Sequence, residues 1–197
     1  MRTLYSLKKI LKKRVEQVAL YPNKAFKLGI SYVLKPVGSR NYKRFVMVAG
    51  KRTGSTLLHS YLNCSPHILT RGEVFRRLGN KKYIELLQWV FSKQVFFMKA
   101  VGFKLHYVHP VDSYKCGLWE DLQSMDNLYV IHLKRKNVLR SVISEKIAKQ
   151  KKCWVQSNKS DSQENAPVID ITSTELEEEL NKVESMERTT DEMFKNH

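Results

Sequence analysis

The hydrophobic pattern of the chain is densest at Phe45-Val46-Met47-Val48-Ala49, an unbroken apolar run. A run that short and that apolar suits a strand buried on both faces, the usual state in a parallel sheet. The pattern then breaks into Gly50-Lys51-Arg52-Thr53-Gly54 and resumes with helical spacing at Leu58, Tyr61 and Leu62. This stretch predicts strand, tight loop, helix, and the rest of the chain is arranged around it.

Ahead of it, Leu4, Leu7, Leu11, Val15 and Val18 follow a helical stripe ending before Pro22, with Lys8, Lys9, Lys12, Lys13 and Arg14 mostly on other faces. This basic amphipathic helix either attaches to an anionic membrane or partner, or packs on its own domain. Tyr21 to Lys43 reads as a connector with one short element around Ile30 to Leu34. Behind the central stretch, Cys64 to Phe75 reads as a loop holding one short strand. Lys81 to Ser92 has the broad apolar face of a core helix, Trp89 included. Val95 to Tyr107 predicts a second strand ending near His106, and Pro110 can open a helix that Gly117 weakens. Asn127 to Leu133 predicts another buried strand; it ends in Lys134-Arg135-Lys136, and Asn137 caps the helix that follows. Gln156 to Pro167 reads as a polar loop. Thr172 and Glu175 form a capping box for a final helix with Leu176, Leu180 and Val183 on one stripe and a solvated acidic face.

Strands alternating with helices imply an α/β domain: a central, mostly parallel sheet between helices, in three layers. The expected division is a basic helix and connector over 1–43, then the α/β domain over 44–197.

Composition adds the sign of the partner. The formal charge is +16, which points to an anion. Between Arg2 and Arg52 Glu16 is the only acid, whereas acids dominate from Asp161 onward. Cys64, Cys116 and Cys153 show neither a disulfide framework nor zinc-ligand spacing, so a reducing, cytoplasmic setting is expected. No stretch is apolar for long enough to span a bilayer, and the first residues lack the apolar core of a secretory signal.

The chemistry gathers at the loops after strands. A strand–loop–helix junction aims backbone N–H groups and the positive helix end at one point, where an anion is the natural occupant. Lys51 and Arg52 add full charges, and Gly50 and Gly54 let the backbone come close. For this loop alone, an ordinary turn on a basic surface is the alternative. The glycine spacing is wrong for an ATP-binding loop, whose lysine follows the second glycine. Arg135, Ser141 and Ser144 belong to a second such junction, and ligands of open α/β sheets bind at the carboxyl ends of the strands. Glu73 has two readings: a base for an acceptor's proton, or a salt bridge to Arg71, Arg76 or Arg77.

The ordered pair Arg52-Thr53-Gly54-Ser55-Thr56-Leu57-Leu58 and Val130-Ile131-His132-Leu133-Lys134-Arg135-Lys136-Asn137-Val138-Leu139-Arg140-Ser141-Val142-Ile143-Ser144 resembles the 5'-phosphosulfate and 3'-phosphate loops of sulfotransferases. These enzymes use 3'-phosphoadenosine 5'-phosphosulfate (PAPS), and the likeness is nearest to bacterial nodulation-factor and other carbohydrate sulfotransferases. It covers roughly Arg44 to Trp154, and it implies a P-loop-like build. The resemblance gives Arg52 the contact to the phosphate and bridging oxygen. It gives the 5'-phosphate to Thr53, Gly54, Ser55 and Thr56, with Leu57 closing the motif, and the 3'-phosphate to Arg135 and Ser144, Ser141 being the alternative serine. Phe103-Lys104-Leu105-His106 resembles the segment that holds a catalytic histidine in cytosolic members. Gly72-Glu73-Val74-Phe75 resembles the segment that holds a glutamate base in bacterial carbohydrate members, and Glu73 is the preferred base. As a residue, His106 also reads simply as a strand-end histidine satisfied by hydrogen bonds. Family members continue past the final helix, so a short or C-terminally truncated chain is expected at His197.

The expectation is therefore transfer of a sulfuryl group from PAPS to a hydroxyl, on a carbohydrate or glycolipid. No metal is expected, since Lys and Arg supply the positive charge. The competing readings are a P-loop-like nucleotide kinase or NTPase, and a non-catalytic basic protein binding membranes or polyanions. Nucleic acid is disfavoured, because no paired aromatic strand motif is present.

Overall fold

The computed structural model describes residues 38–113, 116–151 and 168–197. The expected basic helix, the connector up to residue 37 and the whole of the polar loop at 156–167 lie outside them. Strand β1, Lys43–Ala49, is followed by helix α1, Ser55–Cys64, and the short strand β2, Ile68–Arg71. Next come α2, Tyr83–Val90; β3, Ala100–His106; α3, Leu118–Gln123; β4, Leu128–Leu133; α4, Val138–Gln150; and α5, Ser173–Met193.

Among the described residues the strands form one four-stranded sheet, in the order β2-β3-β1-β4. Every pairing is parallel, and the register sets Ala49 beside both His106 and Leu133. Helices flank this sheet, which makes the fold a three-layer α/β one. The apolar run of β1 is buried from Phe45 to Ala49, because β1 lies between two strands and under helices on both faces.

Alternation along the strands divides their side chains between the faces. Val46 and Val48 join Phe103, Leu105, Leu87, Leu118 and Leu122 in the main core, with Phe194 closing it beyond α5. Met47 and Ala49 point to the opposite face, beside Lys104 and His106 in register. There α1 is tied down by Asn63, which donates to Thr70 O at 2.9 Å and accepts from Thr70 N at 3.1 Å. The connections leaving β1 and β3 cross the sheet in opposite directions. That reversal opens a crevice at the carboxyl ends of adjacent strands.

Several elements differ from the sequence reading. The helix expected from Pro110 begins at Leu118, because Gly117 caps it in the left-handed region (φ 84°) rather than weakening its interior. β4 is an edge strand, with Tyr129 half exposed. Trp89 is not a core residue: it is 44% exposed and lies under Arg71, whose guanidinium carbon is 3.9 Å from the ring centroid. The Asn137 cap and the Thr172–Glu175 capping box both form.

Candidate functional site

The loop after β1 turns sharply at the carboxyl end of the sheet. Gly54 takes φ 91° at the start of α1, where a side chain would be strained. Gly50 lies against Tyr107, and a Cβ there would come within 3.1 Å of the ring. Arg52 itself is left-handed, φ 60°, without being glycine. Such a conformation costs on the order of 1–3 kcal/mol and persists only where the surroundings impose it. Here Arg135 Nη1 donates to Arg52 O at 2.9 Å, and Arg52 Nε donates to Ser144 Oγ at 2.9 Å. The two cationic junctions singled out in sequence therefore meet, joined by α4. No side chain caps α1, and its first turn holds no acid. Its opening amides and positive end thus face the same corner as Arg52.

The other residues of the motif have separate duties. Thr53 Oγ1 donates to Gly50 O at 3.0 Å, and Thr56 Oγ1 accepts from Lys104 Nζ at 3.2 Å. Ser55 is buried. Leu57, which closes the motif, has an exposed side chain, and its N–H bonds Gly54 O.

Beside the loop, β3 delivers Lys104 and His106 to the face shared with α1, and Glu73 comes back from the turn after β2 to meet both. Glu73 Oε1 is 2.8 Å from Lys104 Nζ and 3.2 Å from His106 Nε2. His109 Nε2 stands 3.9 Å from the other carboxylate oxygen. Among the described residues, none of the arginines named as partners for Glu73 forms an ion pair with it. Arg71 is on the opposite face of the sheet with Trp89, while Arg76 and Arg77 are exposed. The hydrogen bond from His106, and then Lys104, hold the Glu73 carboxyl well below the usual carboxylate range despite its burial. Burial, reinforced by His106, lowers His109 to about 4.

His106 Nδ1 lies 2.9 Å from Ala49 O, which can only accept. That nitrogen therefore carries a proton, and the ring is fixed with Nε2 toward Glu73. The candidate bases Glu73 and His106 are thus one unit, linked through Lys104 to Thr56 at the start of α1.

A cavity of about 110 Å³ lies between the loop, the tip of β4, α4 and α5. Gly50, Tyr107, Arg135, Ser141, Met186 and Glu187 are among its walls. Ser141 is 6% exposed and its Oγ has no hydrogen-bond partner. A buried orphan hydroxyl beside an arginine suits an oxygen-rich anion. The volume takes a phosphate group; pockets for whole drug-sized ligands run to roughly 300–1,000 Å³.

Helix α5 forms one wall, and its acids are not all solvated as expected: Glu179 and Glu187 line the cavity. Asp191 of α5 binds His132 Nδ1 at 2.8 Å and Lys134 Nζ at 2.6 Å, and His132 Nε2 meets the Tyr107 hydroxyl at 2.8 Å. This relay fastens α5 across the tips of β3 and β4. Lys51 is likewise held, 2.7 Å from Glu145.

The sequence reading missed Lys104, His109, Tyr107 and Glu145. Lys104 alone carried a signal there, as a charge between Phe103 and Leu105 in an otherwise apolar strand. Among the described residues no group of His, Cys, Asp and Glu side chains could hold a metal ion, and no helix is long and apolar enough to cross a membrane. No protein-family model, no curated protein and no solved structure matches the chain.

Proposed function

We propose that this chain is a sulfotransferase of P-loop-like build, moving a sulfuryl group from PAPS to a hydroxyl on a carbohydrate or glycolipid. The observation that carries the reading is the joining of Arg52 and Arg135 at the tips of the neighbouring strands β1 and β4. A ligand with phosphates at both ends of one nucleoside needs two such cationic corners on one edge. The orphan hydroxyl of Ser141 beside Arg135 adds support for the 3'-phosphate corner and makes Ser141 its hydroxyl ligand, Ser144 being engaged by Arg52. The free thiols of Cys64 and Cys116 suit a cytoplasmic enzyme.

In the proposed reaction, the bond from sulfur to the bridging phosphate oxygen breaks as a bond from sulfur to the acceptor oxygen forms. Arg52 and the first amides of α1 meet the charge growing on the bridging oxygen. Glu73 takes the acceptor's proton through Oε2, the carboxylate oxygen that Lys104 and His106 do not contact, while His106, anchored through Nδ1 on Ala49 O, and Lys104 hold the carboxylate in place. The products are a sulfate ester and 3',5'-adenosine bisphosphate. Entry of the whole nucleotide requires α5 to give way, since the cavity beneath it is phosphate-sized.

Isothermal titration calorimetry with 3',5'-adenosine bisphosphate, 5'-AMP and ATP tests the reading. The bisphosphate binds tightest, and Arg135→Ala abolishes that preference. Equal affinity for the three, or a preference for ATP that depends on magnesium, overturns the proposal and favours a kinase or NTPase.

A further inference from the structure

The opposite end of the sheet carries a second charged surface that the nucleotide reading does not use. A groove of about 510 Å³ runs across the amino ends of β3, β1 and β4, lined by Arg40, Lys43, Arg44 and Lys99 with Tyr42 and Tyr129. Among the described residues, no carboxylate lines it. Arg44 donates to the Asp126 backbone carbonyl at 3.1 Å, and Lys43 lies 4.8 Å from the Tyr129 ring centroid. None of these cations forms an ion pair among the described residues; the side chain of Asp126, whose backbone carbonyl Arg44 contacts, is exposed.

Beside the groove, the turn that leads into β3 presents Phe96, 81% exposed, between the exposed Lys93 and Lys99. Its ring meets that of Phe97, 5.6 Å away and edge-on, so the side chain is held outward. The turn is fixed by Met98 N to Val95 O at 2.9 Å and by the Ser39–Gln94 bridge.

We infer that this amino-end face is a docking surface for a membrane rich in acidic phospholipid. Arg40, Lys43, Arg44 and Lys99 meet the headgroups, and Phe96 enters the boundary with the acyl chains. A ring of unpaired cations around a protruding aromatic side chain matches both attractions at such an interface, charge and apolar burial. Single-stranded nucleic acid would also meet the cations, but it needs successive open rings to stack on. Here the Tyr129 face is taken by Lys43, which leaves Phe96 alone. The described chain begins at this same face, at Gly38, and the 37 residues before it add further Lys and Arg in sequence. Stable attachment generally takes more than one signal.

The test is co-sedimentation of the full chain with vesicles of pure phosphatidylcholine and with vesicles enriched in phosphatidylserine. The expected result is binding to the second kind only, weakening as salt is raised. The triple variant Arg40→Glu, Lys43→Glu, Lys99→Glu lowers that binding by at least about tenfold, and Phe96→Ser lowers it by roughly threefold or more. Both variants keep the wild-type affinity for 3',5'-adenosine bisphosphate, so failure here is separable from failure of the nucleotide reading. Absence of vesicle binding overturns the inference. So does wild-type binding by both variants, which would assign the attraction to other residues. A single-stranded oligonucleotide that displaces the protein from vesicles at equal charge would make this a nucleic-acid surface instead.

Discussion

Among the described residues, Lys51, Lys104 and Lys134, at the carboxyl end of the sheet, each face a carboxylate within 2.8 Å, whereas Arg40, Lys43 and Lys99, at the amino end, face none. The same residue types thus serve different ends. Paired cations fix geometry: Lys104 holds Glu73 against His106, and Lys134 holds Asp191 and with it α5. Unpaired cations leave a field that reaches outward over about a Debye length, near 10 Å at ordinary salt. A machine for one small anion needs the first arrangement, with a few charges such as Arg52 and Arg135 set by hydrogen bonds. A surface for a broad, multiply charged partner needs the second.

The largest expected effect falls on the paired end. Arg52→Ala removes the charge nearest the proposed bridging oxygen. Removal of one such stabiliser lowers turnover by about 10²–10³. The measurement is transfer of labelled sulfate from PAPS to a panel of saccharides, beside the triple variant of the amino end, which keeps its turnover. An unchanged rate in Arg52→Ala takes Arg52 out of the mechanism, and a matching loss in the triple variant erases the distinction between the ends.

Acid separates the two ends next. His109 titrates near 4 in the fold against an ordinary value of 6.5. Between those values the unfolded chain binds a proton that the folded chain refuses, so stability falls as pH drops through this window. Glu73 adds to the same trend. Its folded value is depressed, so its contribution is complete above the ordinary carboxylate range and is lost as pH falls through and below it. The lysines and arginines of the amino end stay charged throughout and add nothing. Urea midpoints measured from pH 7 down to pH 4 should decline in the wild type. His109→Asn, which can still accept from His106 N–H, should flatten the upper part of that decline; an unchanged curve would show that another group titrates there.

What was legible in sequence follows the same division. β1, its loop and α1 could be read because their signals are local: an apolar run, a glycine at each end of a short loop, and helical spacing afterwards. The Thr172–Glu175 box and the Asn137 cap are local too. The partner of Glu73 was not legible, because the sequence offers Arg71, Arg76 and Arg77 close by whereas the fold supplies Lys104, 31 positions away in the chain. Strand alternation sends Arg71 to the other face and β3 brings Lys104 in, and neither fact is visible before strands are paired. Gly117 misled for a related reason: a glycine ahead of a helix and a glycine inside one look alike until φ is known. The amino-end face escaped notice altogether, since its cations come from separate segments that only the parallel register gathers.

The smallest effect is the sharpest contrast. Lys104→Met and Lys99→Met delete the same charge, one near the carboxyl end of β3 and one just before its first residue. The Lys104 side chain is 6% exposed, and its loss leaves Glu73, itself only partly exposed, with His106 as its remaining close partner. A cost of about 1–3 kcal/mol in unfolding free energy is expected, the usual penalty for stranding a buried charged or polar group. Lys99 is exposed, lines a groove without carboxylates and has like charges for neighbours. Its replacement should change stability by less than about 0.5 kcal/mol, as at an ordinary surface position. Urea denaturation of the two variants side by side reads the difference directly. A loss above about 1 kcal/mol in Lys99→Met would mean that the amino-end charges support the fold, so their freedom from acids could no longer be attributed to a partner outside the chain.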